Sequence, residues 1–280
     1  MTHTTLIDPP TLAAQLASDW VIVDCRFNLA NTGWGEAQYA QGHIPGAVYA
    51  HLDRDLSGPK TGKNGRHPLP LMEALRERLG AWGVGAGAQV VAYDQDTGMT
   101  ASRLWWLLRY LGHNAVAVLD GGLARWTAAG RPLRAGVEHN APAVFTGQPR
   151  PDMLVLADDV EQLRQDPAAR VIDARAPERY RGATEPLDPV AGHIPGAVNL
   201  PYQANLQPDS TFLAPEALRQ QFAAALGGVA PAQAVIYCGS GVSACHNLLA
   251  LEHAGLPGAR LYGGSWSEWC ADEGRAVAKG

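Results

Sequence analysis

One seven-residue segment occurs twice in this chain of 280 residues. The sequence Gly-His-Ile-Pro-Gly-Ala-Val stands at residues 42–48 and again, without a change, at residues 192–198. The surrounding stretches also keep one order: an apolar run ending in aspartate precedes each copy, a second apolar run follows it, and a Gly-Gly turn followed by tryptophan comes later. Such self-similarity predicts two tandem copies of one folding unit.

Within each half, short β-branched runs alternate with helical segments such as residues 101–111. This alternation favours a mainly parallel sheet flanked by helices, which is the α/β class. A stretch rich in Pro, Gly and Ala without clear periodicity lies between the halves and is typical of an ordered connector. We therefore predict an N-terminal domain at 1–135, a connector at 136–155 and a C-terminal domain at 156–280.

Composition argues against several classes of function. The formal net charge is −5, and no cluster of Lys and Arg alternates with aromatic residues, so a nucleic-acid partner is not expected. No apolar run approaches the roughly 20 residues of a membrane helix, and the N-terminal residues do not resemble a secretory signal, so we expect a cytoplasmic protein. The four cysteines lack the spacing of a metal site or a disulfide framework.

The second half carries a cysteine at the end of an apolar run. Residues 234–236 are typical of a buried parallel strand, Cys238 follows with small residues, and 245–251 are typical of a helix. Backbone N–H groups and the positive end of a helix dipole favour a thiolate at such a junction, so Cys238 is the predicted nucleophile. The first half has Asp94 at the equivalent position, and only the second half is therefore expected to be catalytic.

These features together resemble the rhodanese (sulfurtransferase) superfamily in its tandem form, with an inactive N-terminal and an active C-terminal domain. The loop Cys-Gly-Ser-Gly-Val-Ser-Ala at 238–244 is similar to the 3-mercaptopyruvate branch, whereas thiosulfate-using members more often place Arg and Lys directly after the cysteine. The resemblance implies that sulfur passes from 3-mercaptopyruvate through a Cys238 persulfide to cyanide, a small thiol or thioredoxin, with release of pyruvate. It implies no metal or organic cofactor. Thiosulfate:cyanide sulfur transfer and a non-enzymatic sulfur-carrying or protein-binding module remain alternatives.

The resemblance also implies a set of site residues. Ser240, His67 and Asp55 match a Ser-His-Asp relay of the mercaptopyruvate branch, with Asp53 as the neighbouring alternative for the aspartate. Arg179 matches the arginine that binds the substrate carboxylate. The backbone N–H groups expected to hold negative charge belong to the other residues of the loop: Gly239, Gly241, Val242, Ser243 and Ala244.

Two further positions bear on the class of enzyme and on how its substrate is bound. A phosphatase of the Cys-x5-Arg type needs an arginine six residues after its cysteine to clamp a phosphoryl dianion, and Ala244 stands there instead. Leu187 follows a Glu-Pro pair where related sequences commonly carry a second arginine. Arg179 is therefore expected to supply most of the charge that binds the carboxylate.

Overall fold

The computed structural model describes residues 2–280, and in this range it contains two five-stranded sheets in which every strand pair is parallel. The first has the spatial order β1-β5-β4-β2-β3, with β1 (Leu6–Ile7), β2 (Val21–Asp24), β3 (Val48–Tyr49), β4 (Val90–Tyr93) and β5 (Val116–Leu119). The second has the order β6-β10-β9-β7-β8, with β6 (Leu154–Val155), β7 (Arg170–Asp173), β8 (Val198–Asn199), β9 (Ala234–Tyr237) and β10 (Arg260–Tyr262). The matching orders confirm the predicted repeat and the α/β class.

Helices connect the strands in both copies, as parallel pairing requires. With the first sheet occur α1 (Pro9–Ala13), α2 (Trp34–Gln41), α3 (Met72–Ala81), α4 (Ala101–Tyr110) and α5 (Gly122–Ala128). With the second occur α6 (Ala157–Leu163), α7 (Pro177–Tyr180), α8 (Pro215–Leu226), α9 (Ser243–His253) and α10 (Ser265–Trp269). Short 3₁₀ turns lie at Pro151–Met153, Tyr202–Asn205 and Pro231–Gln233. Within residues 2–280, no helix has both the length and the apolar character needed to span a bilayer.

The described chain divides into two compact units that are not simply its two halves. The first comprises residues 2–58, 70–150 and 208–212, and the second comprises 59–69, 151–207 and 213–280. The segment 59–69, which carries His67, therefore packs with the second unit although it precedes much of the first in sequence. Strand β6 lies inside the stretch 136–155 that was predicted as a connector. It was not recognised from sequence because two residues are too few to show the periodicity of a strand.

The histidine of the seven-residue segment makes the same contacts in both copies. His43 stacks on Tyr39 with ring centroids 4.2 Å apart, and its Nδ1 lies 2.8 Å from the Tyr39 carbonyl oxygen. His193 stacks on Tyr180 at 3.9 Å, again with Nδ1 2.8 Å from the tyrosine carbonyl. Both histidines are buried, and this shared packing agrees with a structural role for the segment.

Candidate active site

Cys238 lies directly after β9, at the carboxyl end of a central strand where ligands of parallel sheets bind. The side chain is buried, with the residue 2% exposed. Its Sγ accepts hydrogen bonds from the backbone N–H groups of Gly241 at 3.1 Å and Ser240 at 3.5 Å. Donors placed in this way stabilise a negatively charged sulfur.

The rest of the predicted loop leads into α9. Val242 precedes the helix, and Ser243 and Ala244 form its first turn, where backbone N–H groups have no intrahelical acceptor. Gly241 has φ +75°, and a Cβ there would come within 2.3 Å of the Gly263 carbonyl oxygen. Only glycine fits this approach, so the tight loop that brings two N–H groups to the sulfur depends on Gly241.

The first two residues of α10 hold the backbone of Cys238. The Ser265 hydroxyl accepts from the N–H of Cys238 at 3.1 Å and donates to the Tyr262 carbonyl at 2.9 Å, while the Trp266 N–H donates to the Cys238 carbonyl at 2.9 Å. Ser265 adopts φ +56°, a left-handed conformation that costs a non-glycine residue about 1–3 kcal/mol. Sequence analysis did not single out Ser265, although the equivalent position of the first unit carries Gly122, also at positive φ.

His67 and Ser240 form the pair expected from the resemblance. His67 Nδ1 lies 2.7 Å from Ser240 Oγ, and both residues are buried. The bond joins residues that are 173 positions apart in sequence, and it forms within the second unit because segment 59–69 belongs there. A histidine bonded to a hydroxyl two residues after Cys238 is suited to moving a proton near the sulfur.

Asp55, the third predicted member of the relay, lies in the first unit. Its Oδ2 accepts from the backbone N–H of His51 at 2.8 Å, and its Oδ1 lies 3.1 Å from Arg78 Nε. The alternative, Asp53, donates its backbone N–H to His51 Nδ1 at 3.1 Å. These contacts give Asp55 partners inside its own unit, and its part in a relay with His67 stays a prediction.

Arg179 lies in α7, and two buried carboxylates hold its guanidinium. Nε and Nη2 of Arg179 donate to Glu185 at 3.2 and 2.7 Å, and Nη2 also reaches Asp188 at 3.2 Å. A Cβ placed on Gly239 would lie 3.3 Å from Arg179 Nη1. The guanidinium thus lies beside the residue that follows Cys238, and its role in binding a substrate carboxylate stays a prediction.

Arg66, which was not singled out from sequence, also lies beside the cysteine loop. Its Nη1 pairs with Asp188, and its Nη2 would lie 2.7 Å from a Cβ on Gly239. The loop itself has no Arg or Lys, but cations lie beside it. Arg66 and Arg179 fill the space that a side chain at position 239 would occupy. The one sequence signal for Arg66 was its position immediately before His67.

The other three cysteines, Cys25, Cys245 and Cys270, are buried. Burial raises the pKa of the Cys25 thiol well above its ordinary value and raises the pKa of Cys270 to about 11. Cys245 is fully buried in α9, and its thiol donates to the Gly241 carbonyl at 3.3 Å. No disulfide joins cysteines in residues 2–280, and this range shows no metal-binding cluster of three His, Cys, Asp or Glu residues.

The equivalent loop of the first unit holds a carboxylate of its own. Asp94 follows β4, and its two side-chain oxygens accept from the backbone N–H groups of Asp96, Gly98, Thr100 and Ala101 at 2.8–3.3 Å. Burial raises the pKa of Asp94, although these hydrogen bonds act in the opposite direction. The donors that bind an external or reacting anion in a cysteine loop are thus already used, which agrees with a non-catalytic first unit.

We expect Asp94→Asn to destabilise the protein by about 1–3 kcal/mol, because an amide nitrogen would face backbone N–H groups and leave buried donors unpaired. Urea unfolding followed by circular dichroism measures this change. Asp152→Asn, which removes one carboxylate from an exposed position, is the control and should change the free energy of unfolding by no more than about 0.5 kcal/mol. Equal stability of Asp94→Asn and the wild type would contradict the proposed filling of the loop.

Comparison with known proteins places these features in a family. Residues 8–129 and 156–272 both match the rhodanese-like domain. The chain is 48% identical to the "Probable 3-mercaptopyruvate sulfurtransferase" of Pseudomonas aeruginosa, covering 100% of both chains, and 38% identical to the human 3-mercaptopyruvate sulfurtransferase, covering 94% of both. Among solved structures, the 3-mercaptopyruvate sulfurtransferase from Leishmania major is similar with a TM-score of 0.84 and 32% identity, covering 95% of this chain and 74% of that one.

Each matched stretch contains four of the five strands of one parallel sheet and one copy of the repeated segment, and only the second has a cysteine at the loop after its central strand. The fold, the repeat and these similarities agree, and the chain belongs to the rhodanese family, with two rhodanese-like domains in tandem.

Proposed function

We propose that this protein is a sulfurtransferase that takes sulfur from 3-mercaptopyruvate, carries it as a Cys238 persulfide, and passes it to cyanide, a small thiol or a protein thiol such as that of thioredoxin. The observation that carries the proposal is the 2.7 Å bond between His67 and Ser240, two residues after a cysteine whose sulfur accepts backbone N–H donors. The relatives named for this activity support the choice of donor.

The first half-reaction needs one nucleophile and one proton path. The Cys238 thiolate attacks the thiol sulfur of the donor, an S–S bond forms as the C–S bond breaks, and the electron pair of the C–S bond stays on pyruvate as its enolate. The proton of the donor thiol moves to the enolate carbon, through Ser240 and His67. The products are pyruvate and a persulfide anion on Cys238.

Backbone donors stabilise the charge during this exchange. The N–H groups of Ser240 and Gly241 already point at the sulfur, and removal of one such donor typically costs about 3 kcal/mol in an active site. In the second half-reaction cyanide or a thiolate attacks the outer sulfur, and Cys238 leaves as a thiolate.

Thiosulfate is the second candidate donor, and the two guanidinium groups beside Gly239 are the observation in its favour. Attack by Cys238 on its outer sulfur would release sulfite and give the same persulfide without any proton transfer. The His67–Ser240 pair would then have no task in the first half-reaction, which is why 3-mercaptopyruvate is the preferred proposal.

Steady-state assays with each donor, and cyanide as acceptor, test the proposal. With 3-mercaptopyruvate we expect pyruvate and thiocyanate in equal amounts, and a kcat/KM about tenfold or more above that for thiosulfate, equivalent to about 1.4 kcal/mol. A higher kcat/KM for thiosulfate would favour the second candidate. Turnover of neither donor, with the protein folded, would support a non-enzymatic sulfur-carrying or protein-binding module.

A further inference from the structure

Six charged side chains of the second unit form one continuous row of ion pairs that ends at the cysteine loop. Arg175 binds Asp173 at 2.7 Å and reaches Glu185 at 3.3 Å. Glu185 binds Arg179 at 2.7 Å, Arg179 reaches Asp188 at 3.2 Å, and Asp188 pairs with Arg66. The row contains three arginines and three carboxylates, so their formal charges cancel.

Asp188 holds the key position in this row, because it pairs with both arginines that lie beside Gly239. Its side chain is only 3% exposed, so bulk water screens its charge weakly. The two arginines still have donors near the loop: Arg66 Nη2 and Arg179 Nη1 are the atoms closest to the position of a Gly239 side chain. The site therefore offers hydrogen-bond donors to an anion without offering the full charge of two cations.

We propose that Asp188 sets the charge of the sulfur donor that this site accepts, and that it favours a monoanion such as 3-mercaptopyruvate over a dianion such as thiosulfate. This inference rests on the proposed function. The attraction of a dianion to a given positive charge is twice that of a monoanion, while its desolvation costs more than twice as much. A pair of arginines whose charge is balanced by carboxylates therefore offsets a smaller fraction of the desolvation free energy for the dianion than for the monoanion.

An uncharged loop alone is not sufficient to exclude thiosulfate. Arg66 supplies a cation at the space that a basic residue at position 239 would fill, and without Asp188 the row would carry a net charge of about +1. Donor preference is then expected to depend on Asp188 rather than on Gly239 or Ser240 alone.

A charge-swap series tests this inference through one quantity, the ratio of kcat/KM for thiosulfate to kcat/KM for 3-mercaptopyruvate at constant ionic strength. Asp188→Asn, which keeps the shape of the side chain, should raise the ratio by roughly 5- to 50-fold, since one extra positive charge near the donor acts twice as strongly on a dianion. Arg66→Gln should lower the ratio by a similar factor. The double variant restores neutrality and should bring the ratio back to within about threefold of the wild type.

Glu216→Gln is the matched control, because it removes one negative charge from an exposed side chain of α8 in the same unit and should leave the ratio unchanged. A ratio that stays constant in Asp188→Asn and Arg66→Gln, or that changes equally in Glu216→Gln, overturns the inference. If one single variant does not fold, the other single variant and the double variant still decide it. Failure of the proposed function is seen separately, as absence of pyruvate release by the wild type.

Discussion

Replacing Cys238 with serine is expected to reduce sulfur transfer to the uncatalysed rate while the fold is kept. A serine hydroxyl stays protonated near neutral pH, and oxygen cannot carry sulfane sulfur as a persulfide does. The change preserves the shape of the side chain, and Ser240 and Gly241 keep an acceptor for their N–H groups. Thiocyanate formation measures the rate, and intact mass after treatment with 3-mercaptopyruvate should show one added sulfur atom on the wild type and none on Cys238→Ser.

Cys245→Ser is the control for this experiment, because Cys245 is the other cysteine bonded to Gly241 and is fully buried. It should retain the added sulfur atom and most of the activity, since its hydroxyl can still donate to the same carbonyl. An added sulfur on Cys238→Ser together with its loss from a folded Cys245→Ser would assign the carrier role to Cys245 instead.

The fold could be predicted from sequence because its strand and helix patterns are local in sequence and occur in both halves of the chain. Strand β9, the cysteine loop and α9 are continuous in sequence, so apolar periodicity and small residues were enough to single out Cys238 as the predicted nucleophile. The edge strands β1 and β6 were not predicted. Each has two residues, and each is defined by parallel pairing with a strand far away in the chain, β5 or β10.

The ion pairs around the cysteine loop could not be predicted in the same way. Arg66 and Asp188 are 122 positions apart and both lie in stretches without regular secondary structure. No periodicity marks such residues, and of the two arginines beside Gly239 only Arg179 was predicted from sequence. Segment 59–69 packs with the second unit, and this long-range packing places Arg66 and His67 together beside the cysteine loop.

We expect Arg179→Ala to lower kcat/KM for 3-mercaptopyruvate by roughly 10- to 100-fold. A charge-assisted bond from a guanidinium to a carboxylate is typically worth about 1.5–3 kcal/mol, and each 1.4 kcal/mol corresponds to one factor of ten. Arg66 retains part of the positive charge beside Gly239, which keeps the loss from being larger. The assay is pyruvate release over a range of donor concentrations, with urea unfolding on the same samples, because the change leaves Glu185 and Asp188 with one fewer partner.

Two further variants separate the role of Arg179 from that of charge in general. Arg179→Lys should recover only part of the loss, since lysine keeps the charge but lacks the planar fork that now spans Glu185 and the space beside Gly239. Arg181→Ala removes an arginine two positions away whose side chain is exposed, and it should change kcat/KM by less than about threefold. A loss confined to Arg181→Ala, or a change below threefold in a folded Arg179→Ala, would assign the carboxylate to Arg181 or to the loop N–H groups, and the role carried over to Arg179 would be wrong.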